Sequence, residues 1–357
     1  MTAPRAYIDP RALAHNVGRV RELAPTSDVM AVIKADGYGH GLLDVADALG
    51  AANGFAVARL DEALRLRAHG VDSRIKVLRG WASRGEVDEF VQHQLDAVVH
   101  DRSQLSMLAQ SQKTLSADVW LKVETGMHRL GLAPRELDGA VAQLKAQCAH
   151  GISVRLMTHL ASSDVPGDAD TQRQIQRALA LRDEWALPIS IANSGAVLRW
   201  PSARADWVRP GIMLYGVSPF ENETGAALGL RPVMHLEATL IAAKSIEAGA
   251  RVGYAGSWIA RERMRMGVVS IGYGDGYPRH MPAGTPTVIR GQTAPLIGRV
   301  SMDMINVDLS GVPNAQVGDA VTLWGEGLPV ERVAASAGTI AYELVTRVMP
   351  RVVRQLR

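Results

Sequence analysis

The stretch DVMAVIKADGYGHG, residues 28–41, sets the pattern on which the fold prediction rests. Five consecutive apolar residues, Val29–Ile33, are typical of a strand that is buried on both faces, as strands of parallel sheets are. Lys34 follows them directly, and glycines stand at alternate positions after it, at 37, 39 and 41. A lysine at the end of a buried strand either extends its ammonium group to water or uses its nitrogen in binding or chemistry.

Seven further apolar segments of strand length follow, and they alternate with helical stretches such as LDEALRLRAHG (60–70) and DADTQRQIQRALALRDEWA (168–186). This alternation indicates parallel βα units, and eight such units match a (β/α)8 TIM-like barrel. A doubly wound parallel sheet is the main alternative. The eight predicted strands are residues 29–34, 54–58, 74–80, 96–100, 118–124, 153–159, 188–193 and 207–216.

The composition changes after residue 230. Segments such as HLEATLIAAKSI and MRMGVVSIGYGDGY are rich in strand-forming residues and are interrupted by glycine and proline, with little helical pattern until the end of the chain. We therefore predict two domains: a barrel over residues 1–228 and a mostly β C-terminal domain over residues 229–357.

Charge and cysteine content narrow the class of protein. The 357 residues include 39 basic and 36 acidic side chains, without a Lys/Arg run of the kind that binds nucleic acid. The single cysteine, Cys148, excludes an internal disulfide and is typical of the cytoplasm. We find no apolar signal segment and no stretch approaching the roughly 20 apolar residues of a membrane span. A cytoplasmic protein without nucleic-acid, membrane or metal partners is expected.

Polar residues follow several of the predicted strands. The catalytic groups of such barrels lie at the C-terminal ends of the strands, so these side chains should converge on one mouth. A lysine that faces a phosphate site at this mouth suggests pyridoxal 5'-phosphate held as a Schiff base. The residues concerned are Lys34, Arg129, His159, Asn193, Ser194, Arg209, Gly211 and Ile212.

Each of these residues also has a purely structural interpretation. Lys34 could reach solvent, His159 could be a hydrogen-bonded core histidine, and Ser194 could cap the helix that follows it. Arg129 and Arg209 could belong to surface ion pairs. The coincidence of polar residues at the same end of five predicted strands favours the cofactor site.

The motifs resemble those of alanine racemases, which are fold-type III pyridoxal phosphate enzymes. The segments AVIKADGYGHG, LKVETGMHRLG, MTHLASSD, NSGAVL, WVRPGIMLYG, VGYAGSW, IGYGDGYPR, IGRVSMDM and AYELV occur in the family's order along almost the whole chain. The resemblance implies a (β/α)8 barrel followed by a β domain, and a head-to-tail homodimer with shared active sites.

Residue roles follow from this resemblance. Lys34 matches the lysine that forms the internal aldimine, and Tyr254 matches the opposing base, contributed by the partner subunit. Asn193 falls among the cofactor-binding residues. Arg209 matches the residue at the pyridine nitrogen, and His159 matches the one between Arg209 and Tyr254. Arg129 matches the residue at the cofactor phenolic oxygen and the substrate carboxylate, the Met302 backbone matches a second contact to that carboxylate, and Tyr273 matches a residue that lines substrate access. The matches at the cofactor phosphate are Tyr38, Ser194, Gly211, Ile212 and Tyr342.

Lys122 matches a lysine that some family members carry as a carbamate. Carbon dioxide adds only to an unprotonated amine, so we expect a lowered pKa for Lys122. The new carboxylate would brace Arg129, whereas an ordinary ion-paired lysine is the alternative. The chain departs from the family pattern at Glu124, Gly274, Gly276 and Ser301, none of which removes a reactive group.

The implied reaction is the interconversion of L-alanine and D-alanine by two bases on opposite faces of the cofactor. Lys34 would take the proton of the D-isomer and Tyr254 that of the L-isomer. The family supplies D-alanine for the peptidoglycan cell wall or degrades it, and both roles stay open. The alternatives are a broad-specificity amino-acid racemase, a fold-type III decarboxylase and a single-barrel cofactor carrier.

Overall fold

The computed structural model describes residues 3–147, 149 and 153–357. Cys148 lies outside the described residues. Eight parallel strands form a closed barrel in chain order, and the first closes the ring by pairing with the last. The predicted barrel is therefore confirmed. After the N-terminal strand β1 (Arg5–Ile8), the barrel strands are β2 (Asp28–Val32), β3 (Gly54–Val57), β4 (Arg74–Val77), β5 (Asp96–Val99), β6 (Val119–Lys122), β7 (Val154–Met157), β8 (Ile189–Ser190) and β9 (Trp207–Val208).

Helices follow the barrel strands and cover the ring. Side-chain caps set the starts of several of them: Asp9 accepts the Arg11 N–H at 2.8 Å, and Asp168 accepts the Thr171 N–H at 2.7 Å. The barrel helices are α1 (Pro10–Leu23), α2 (Lys34–Tyr38), α3 (Leu42–Ala48), α4 (Leu60–Ala68), α5 (Arg84–Gln92), α6 (Arg102–Ser111), α7 (Leu137–Gln147), α8 (Ala169–Trp185) and α9 (Ser194–Arg199).

The last predicted barrel strand is wrong in its second half. Only Trp207–Val208 is extended, whereas Ile212–Tyr215 forms a 3-10 helix that ends at Gly216. The apolar run of residues 212–215 is buried all round, so its composition does not distinguish a strand from a short helix.

The C-terminal half is mostly antiparallel sheet, as predicted. The long central strand Met234–Ile246 pairs with strands Met264–Val269 and Ala320–Trp324. It also pairs with the N-terminal strand β1, which in turn runs parallel to the last strand of the chain. The strands are β10 (Met234–Ile246), β11 (Arg251–Val252), β12 (Trp258–Ile259), β13 (Met264–Val269), β14 (Val288–Ile289), β15 (Gln292–Thr293), β16 (Leu296–Ile297), β17 (Ile305–Asp308), β18 (Ala320–Trp324) and β19 (Val353–Leu356), with helices α10 (Val330–Ser336) and α11 (Ala341–Thr346).

An ionic network stabilises the N-terminal end of the barrel. Arg74 contacts Asp96 at 3.0 Å and Asp118 at 2.5 Å, and Arg155 contacts Asp118 at 2.7 Å. These charges lie at the end of the barrel opposite the candidate site, where such folds place stabilising residues. Among the described residues, no helix is both long and apolar enough to cross a membrane.

Candidate active site

A cavity of about 590 Å³ opens at the C-terminal ends of the barrel strands. Its volume lies within the usual range for cofactor and small-ligand sites. Eleven of the residues selected from the sequence line it, and Tyr342 reaches it from α11 of the C-terminal half. These residues are Lys34, Tyr38, Lys122, Arg129, His159, Asn193, Ser194, Arg209, Gly211, Ile212 and Tyr342.

The segment after Lys34 turns in the left-handed sense. Ala35, Asp36 and Gly37 have φ values of 55°, 55° and 61°, and Tyr38 follows with φ 52°. Successive left-handed residues are costly for side chains other than glycine, so the surrounding structure must hold them. The short left-handed turn places Lys34 and Tyr38 on the same cavity.

Glu62 of α4 supplies part of that support. Its buried carboxylate accepts the N–H of Ala35 at 2.6 Å and the N–H groups of Ala58 and Arg59 at 2.9 and 3.1 Å. The carboxylate thus connects the residue after Lys34 to the end of β3. The role of Glu62 is not among the sequence predictions, although a glutamate at the third position of a helix is a known signal for hydrogen bonds to the preceding backbone.

Gly39 allows α11 to approach the same turn. Its φ is +80°, and a Cβ at this position would stand 2.0 Å from the carbonyl oxygen of Val345. The close approach brings the Tyr342 ring within 6.3 Å of the Tyr38 ring, measured between centroids. The glycines after Lys34 therefore serve both backbone conformation and packing between the two halves of the chain.

Backbone N–H groups converge on Ser194. The Ser194 hydroxyl oxygen accepts the N–H groups of Gly211 and Met213 at 2.9 and 3.3 Å. Ile212 begins a 3-10 helix, so its N–H has no partner within that helix. A Cβ on Gly211 would lie 2.5 Å from the Tyr38 hydroxyl oxygen, which shows how closely the backbone and this hydroxyl meet.

Arg209 is buried beneath the cavity. Its guanidinium donates to the Ser190 hydroxyl at 2.6 Å and to the Thr158 carbonyl at 2.5 Å, and burial lowers its pKa to about 10. Burial, followed by the charge of Arg209, lowers the pKa of His159 well below its ordinary value. In the described part of the chain no hydrogen bond joins Arg209 to His159, so their interaction is electrostatic.

Two lysines share this positive environment. Burial, reinforced by the charge of Arg129, lowers the pKa of Lys34. Burial, reinforced by Arg209 and Arg129, lowers the pKa of Lys122 to about 8, which agrees with the expectation from the sequence. Desolvation and neighbouring cations both favour the neutral amine, the form that reacts with carbonyl groups and with carbon dioxide.

Three predicted residues lie outside this cavity. Tyr254 is at the tip of the β11–β12 hairpin and is 66% exposed, and Met302 is 51% exposed. Tyr273 is also exposed, and the loops carrying Tyr273 and Met302 are joined by hydrogen bonds, including Gly274 N–H to the Met302 carbonyl at 2.8 Å. The cavity of a single chain therefore contains the predicted Lys34 base but not the predicted Tyr254 base.

Family comparisons cover the chain from end to end. A sequence model described as "Alanine racemase, N-terminal domain" matches residues 8–219, and one described as "Alanine racemase, C-terminal domain" matches residues 233–356. The chain belongs to the alanine racemase family. Members of this family are pyridoxal phosphate-dependent isomerases that interconvert the enantiomers of alanine.

Individual relatives agree with this assignment. The chain is 49% identical to the alanine racemase of Shewanella denitrificans over 98% of this chain and 97% of that protein. It is 49% identical to the alanine racemase of Nitrosococcus oceani over the full length of both. The biosynthetic alanine racemase of Pseudomonas aeruginosa superposes with a TM-score of 0.95 at 43% identity, covering all of both chains. The Bartonella henselae enzyme, described with covalently bound pyridoxal phosphate, has a TM-score of 0.89 at 29% identity and also covers both chains fully.

The residues in the cavity fit pyridoxal phosphate. Lys34 offers an amine, the Ser194–Gly211–Ile212 region offers hydroxyl and N–H donors, and Arg129 and Arg209 add positive charge near the lysines. A site with this excess of cations is suited to a phosphate and a substrate carboxylate.

Proposed function

We propose that this chain racemises alanine with two bases, Lys34 and Tyr254 of the partner subunit, on pyridoxal phosphate bound in the barrel mouth. The observation that carries the proposal is the separation of the two residues within one chain. Lys34 lines the cavity with a lowered pKa, whereas Tyr254 projects from an exposed hairpin of the C-terminal half. A head-to-tail homodimer would supply the second base to each cavity.

When bound, the cofactor delocalises the electron pair left after the Cα–H bond of alanine breaks. Lys34 would hold the cofactor through its amine, and as a free amine it would take the Cα proton of D-alanine. Tyr254 of the partner subunit takes the proton of L-alanine from the opposite face. After one base has removed the proton from its face, the other base supplies a proton to the opposite face. This exchange of faces inverts the configuration.

Arg129 binds the substrate carboxylate at the cavity mouth, together with the backbone of Met302 of the partner subunit. A carbamate on Lys122 would brace the Arg129 guanidinium, because a carboxylate is the group that such a planar donor pairs with best. Arg129 and Lys122 line the same cavity, which supports this pairing. Tyr273 of the partner subunit lines the route by which alanine reaches this site.

Arg209 and His159 set the charge beneath the reacting centre. Arg209 presents only donors, so it would give a hydrogen bond to the nitrogen of a bound pyridine ring and would disfavour a proton on that nitrogen. His159 is held neutral by burial and by Arg209, which leaves an imidazole nitrogen able to accept from the Tyr254 hydroxyl of the partner subunit. Tyr38, Tyr342, Ser194, Gly211 and Ile212 hold the phosphate, and Asn193 caps the helix beginning at Ser194.

Exposed apolar side chains support the homodimer. Tyr254, Ile259, Met302 and Met304 are all more than 40% exposed on the C-terminal half, and Leu130 is 39% exposed beside Arg129. Clusters of exposed apolar side chains are typical of protein interfaces. We place this dimer in the cytoplasm, as expected from the low cysteine content.

Deuterium exchange on separate enantiomers tests the assignment of the bases. In Tyr254→Phe, single-turnover exchange of the Cα proton of L-alanine should be lost, whereas exchange of the D-isomer proton and borohydride trapping of the cofactor on Lys34 should persist. Unchanged exchange from L-alanine would refute the role of Tyr254.

A further inference from the structure

Arg351 connects the two loops that carry Tyr273 and Met302. It lies in the segment between α11 and β19, and its Nε contacts Asp275 Oδ1 at 2.9 Å. Its Nη2 donates to Asp303 Oδ1 at 2.7 Å. Asp275 is two residues beyond Tyr273, and Asp303 directly follows Met302. One guanidinium therefore bridges both loops through an acid close to each predicted functional residue.

The contact on the Tyr273 side is the buried one. Asp275 is 3% exposed, and its Oδ2 accepts the Gly272 N–H at 2.9 Å. Its Oδ1 is also buried, and its one polar contact among the described residues is the ion pair with Arg351. A buried carboxylate oxygen is costly without a cation, so Arg351 holds this loop firmly. The Asp303 side chain is about half exposed, which makes that contact the weaker of the two.

Gly274 leaves the space into which the guanidinium fits. A Cβ at this position would stand 2.8 Å from Arg351 Nη1 and 3.0 Å from the Met302 carbonyl oxygen. That carbonyl accepts the Gly274 N–H at 2.8 Å, and the Ser301 carbonyl accepts the Tyr273 N–H at 3.0 Å. The backbone hydrogen bonds and the ion pairs thus fix the two loops to each other, although the side chains of Tyr273 and Met302 are exposed.

We propose that Arg351 is a positioning residue for alanine binding in the partner's cavity, because it fixes Tyr273 relative to the Met302 backbone. The inference rests on the proposed function, in which both loops serve the cavity of the other subunit. Arg351 is not among the described residues that line the cavity containing Lys34, so it acts through the loops. A substrate contact made both before and during the reaction affects KM more than kcat, whereas loss of a base affects kcat.

Arg351→Gln tests this role in the homodimer. KM for both enantiomers of alanine should rise roughly ten-fold while kcat changes less than about two-fold. Borohydride trapping of the cofactor on Lys34 should be unchanged. Asp303→Asn should raise KM in the same direction, and the double variant should be no worse than Arg351→Gln, because both changes remove the same contact. An unchanged KM in Arg351→Gln, or a loss confined to kcat, would overturn the inference.

Arg290→Gln is the matched control for loss of an ion pair. Arg290 lies in the same half of the chain and contacts both oxygens of Asp319, at 2.6 and 2.8 Å. Its replacement removes a comparable surface interaction away from the two loops, so KM should stay at the value of the unmodified dimer. A rise in KM equal to that of Arg351→Gln would show a general effect of destabilisation and would overturn the inference.

Hybrid dimers separate a positioning role from a general loss of stability. When a Lys34→Ala chain pairs with a Tyr254→Phe chain, the one complete cavity takes its C-terminal loops from the Lys34→Ala chain. Arg351→Gln added to that chain should raise KM roughly ten-fold, whereas the same substitution in the Tyr254→Phe chain should leave KM unchanged. Equal KM values for the two placements would overturn the inference.

Hydrogen exchange tests the loops without turnover. The backbone amides of Tyr273 and Gly274 should exchange roughly ten-fold faster in Arg351→Gln than in the unmodified dimer, and at the unmodified rate in Arg290→Gln. Unchanged exchange in Arg351→Gln would overturn the role of Arg351. Inactivity of the hybrid dimer without any change at Arg351 would instead refute the shared two-base site, and the exchange rates and the homodimer KM would still decide the role of Arg351.

Discussion

The Glu62 carboxylate accepts the backbone N–H of Ala35 at 2.6 Å, one residue beyond the lysine that is proposed to bear the cofactor. The same carboxylate accepts two N–H groups after β3. Lys34 is therefore positioned by a buried acid on a neighbouring βα unit as well as by its own strand. This contact explains how a run of left-handed residues is held directly after Lys34.

Replacing Glu62 should impair catalysis through Lys34. Glu62→Gln keeps the shape but turns an amide NH2 group toward backbone donors, leaving buried N–H groups without an acceptor at a cost of about 1–3 kcal/mol. We expect kcat/KM to fall roughly ten- to hundred-fold, with slower borohydride trapping on Lys34. Asp61→Asn is the matched control, because Asp61 is exposed and pairs with Arg59. An unaltered kcat/KM in a folded Glu62→Gln enzyme would show that the contact does not position Lys34.

Gly39→Ala should weaken cofactor binding. The new Cβ would collide with the Val345 carbonyl and push α11, with Tyr342, away from Tyr38. Gly284→Ala is a matched control, since Gly284 also has a positive φ of +94° but no atom within 4 Å of the added Cβ. Backbone strain alone costs about 1–3 kcal/mol at either site, and only Gly39→Ala adds the collision. Thermal unfolding and cofactor titration should show the larger loss for Gly39→Ala; equal losses would contradict the close-approach argument.

Carbamylation of Lys122 should increase with pH at a constant partial pressure of carbon dioxide. Its pKa is lowered to about 8, so the ammonium form predominates below this pH and the reactive neutral amine above it. Raising the pH from 7 to 9 should therefore increase the carbamate signal in 13C NMR after equilibration with labelled carbon dioxide. Lys122→Arg should lack that signal. A signal that falls over this range, or persists in Lys122→Arg, would rule out carbamylation governed by this amine.

The periodic parts of the fold could be predicted from the sequence. Each of the eight barrel strands overlaps one of the predicted strand segments, and the change of composition after residue 230 corresponds to antiparallel strands. The 3-10 helix at Ile212–Tyr215 was not predicted, because its residues are buried on every side and show no period. The strand before Lys34 is also shorter than predicted, ending at Val32, since the turn begins at Lys34 itself.

The cavity residues can be predicted from the sequence, because the topology of a barrel brings the C-terminal ends of its strands together. Their supports were not found, because they depend on contacts between units far apart in the chain. Glu62 contacts Ala35 across 27 residues, and Arg209 is held by Thr158 and Ser190 across 51 and 19 residues. The one sequence signal for the contact between Arg209 and Ser190 is that Ser190 is a polar residue within the otherwise apolar segment of β8.

Hybrid dimers test most directly whether the two bases come from different subunits. Lys34→Ala and Tyr254→Phe chains carrying different affinity tags can be co-expressed, and the dimer containing one of each can be isolated by two successive columns. One cavity of this hybrid would have both bases intact and the other neither, so we predict about half of the wild-type activity per dimer, although each parent dimer is inactive. A hybrid dimer as inactive as both parents would contradict the shared site.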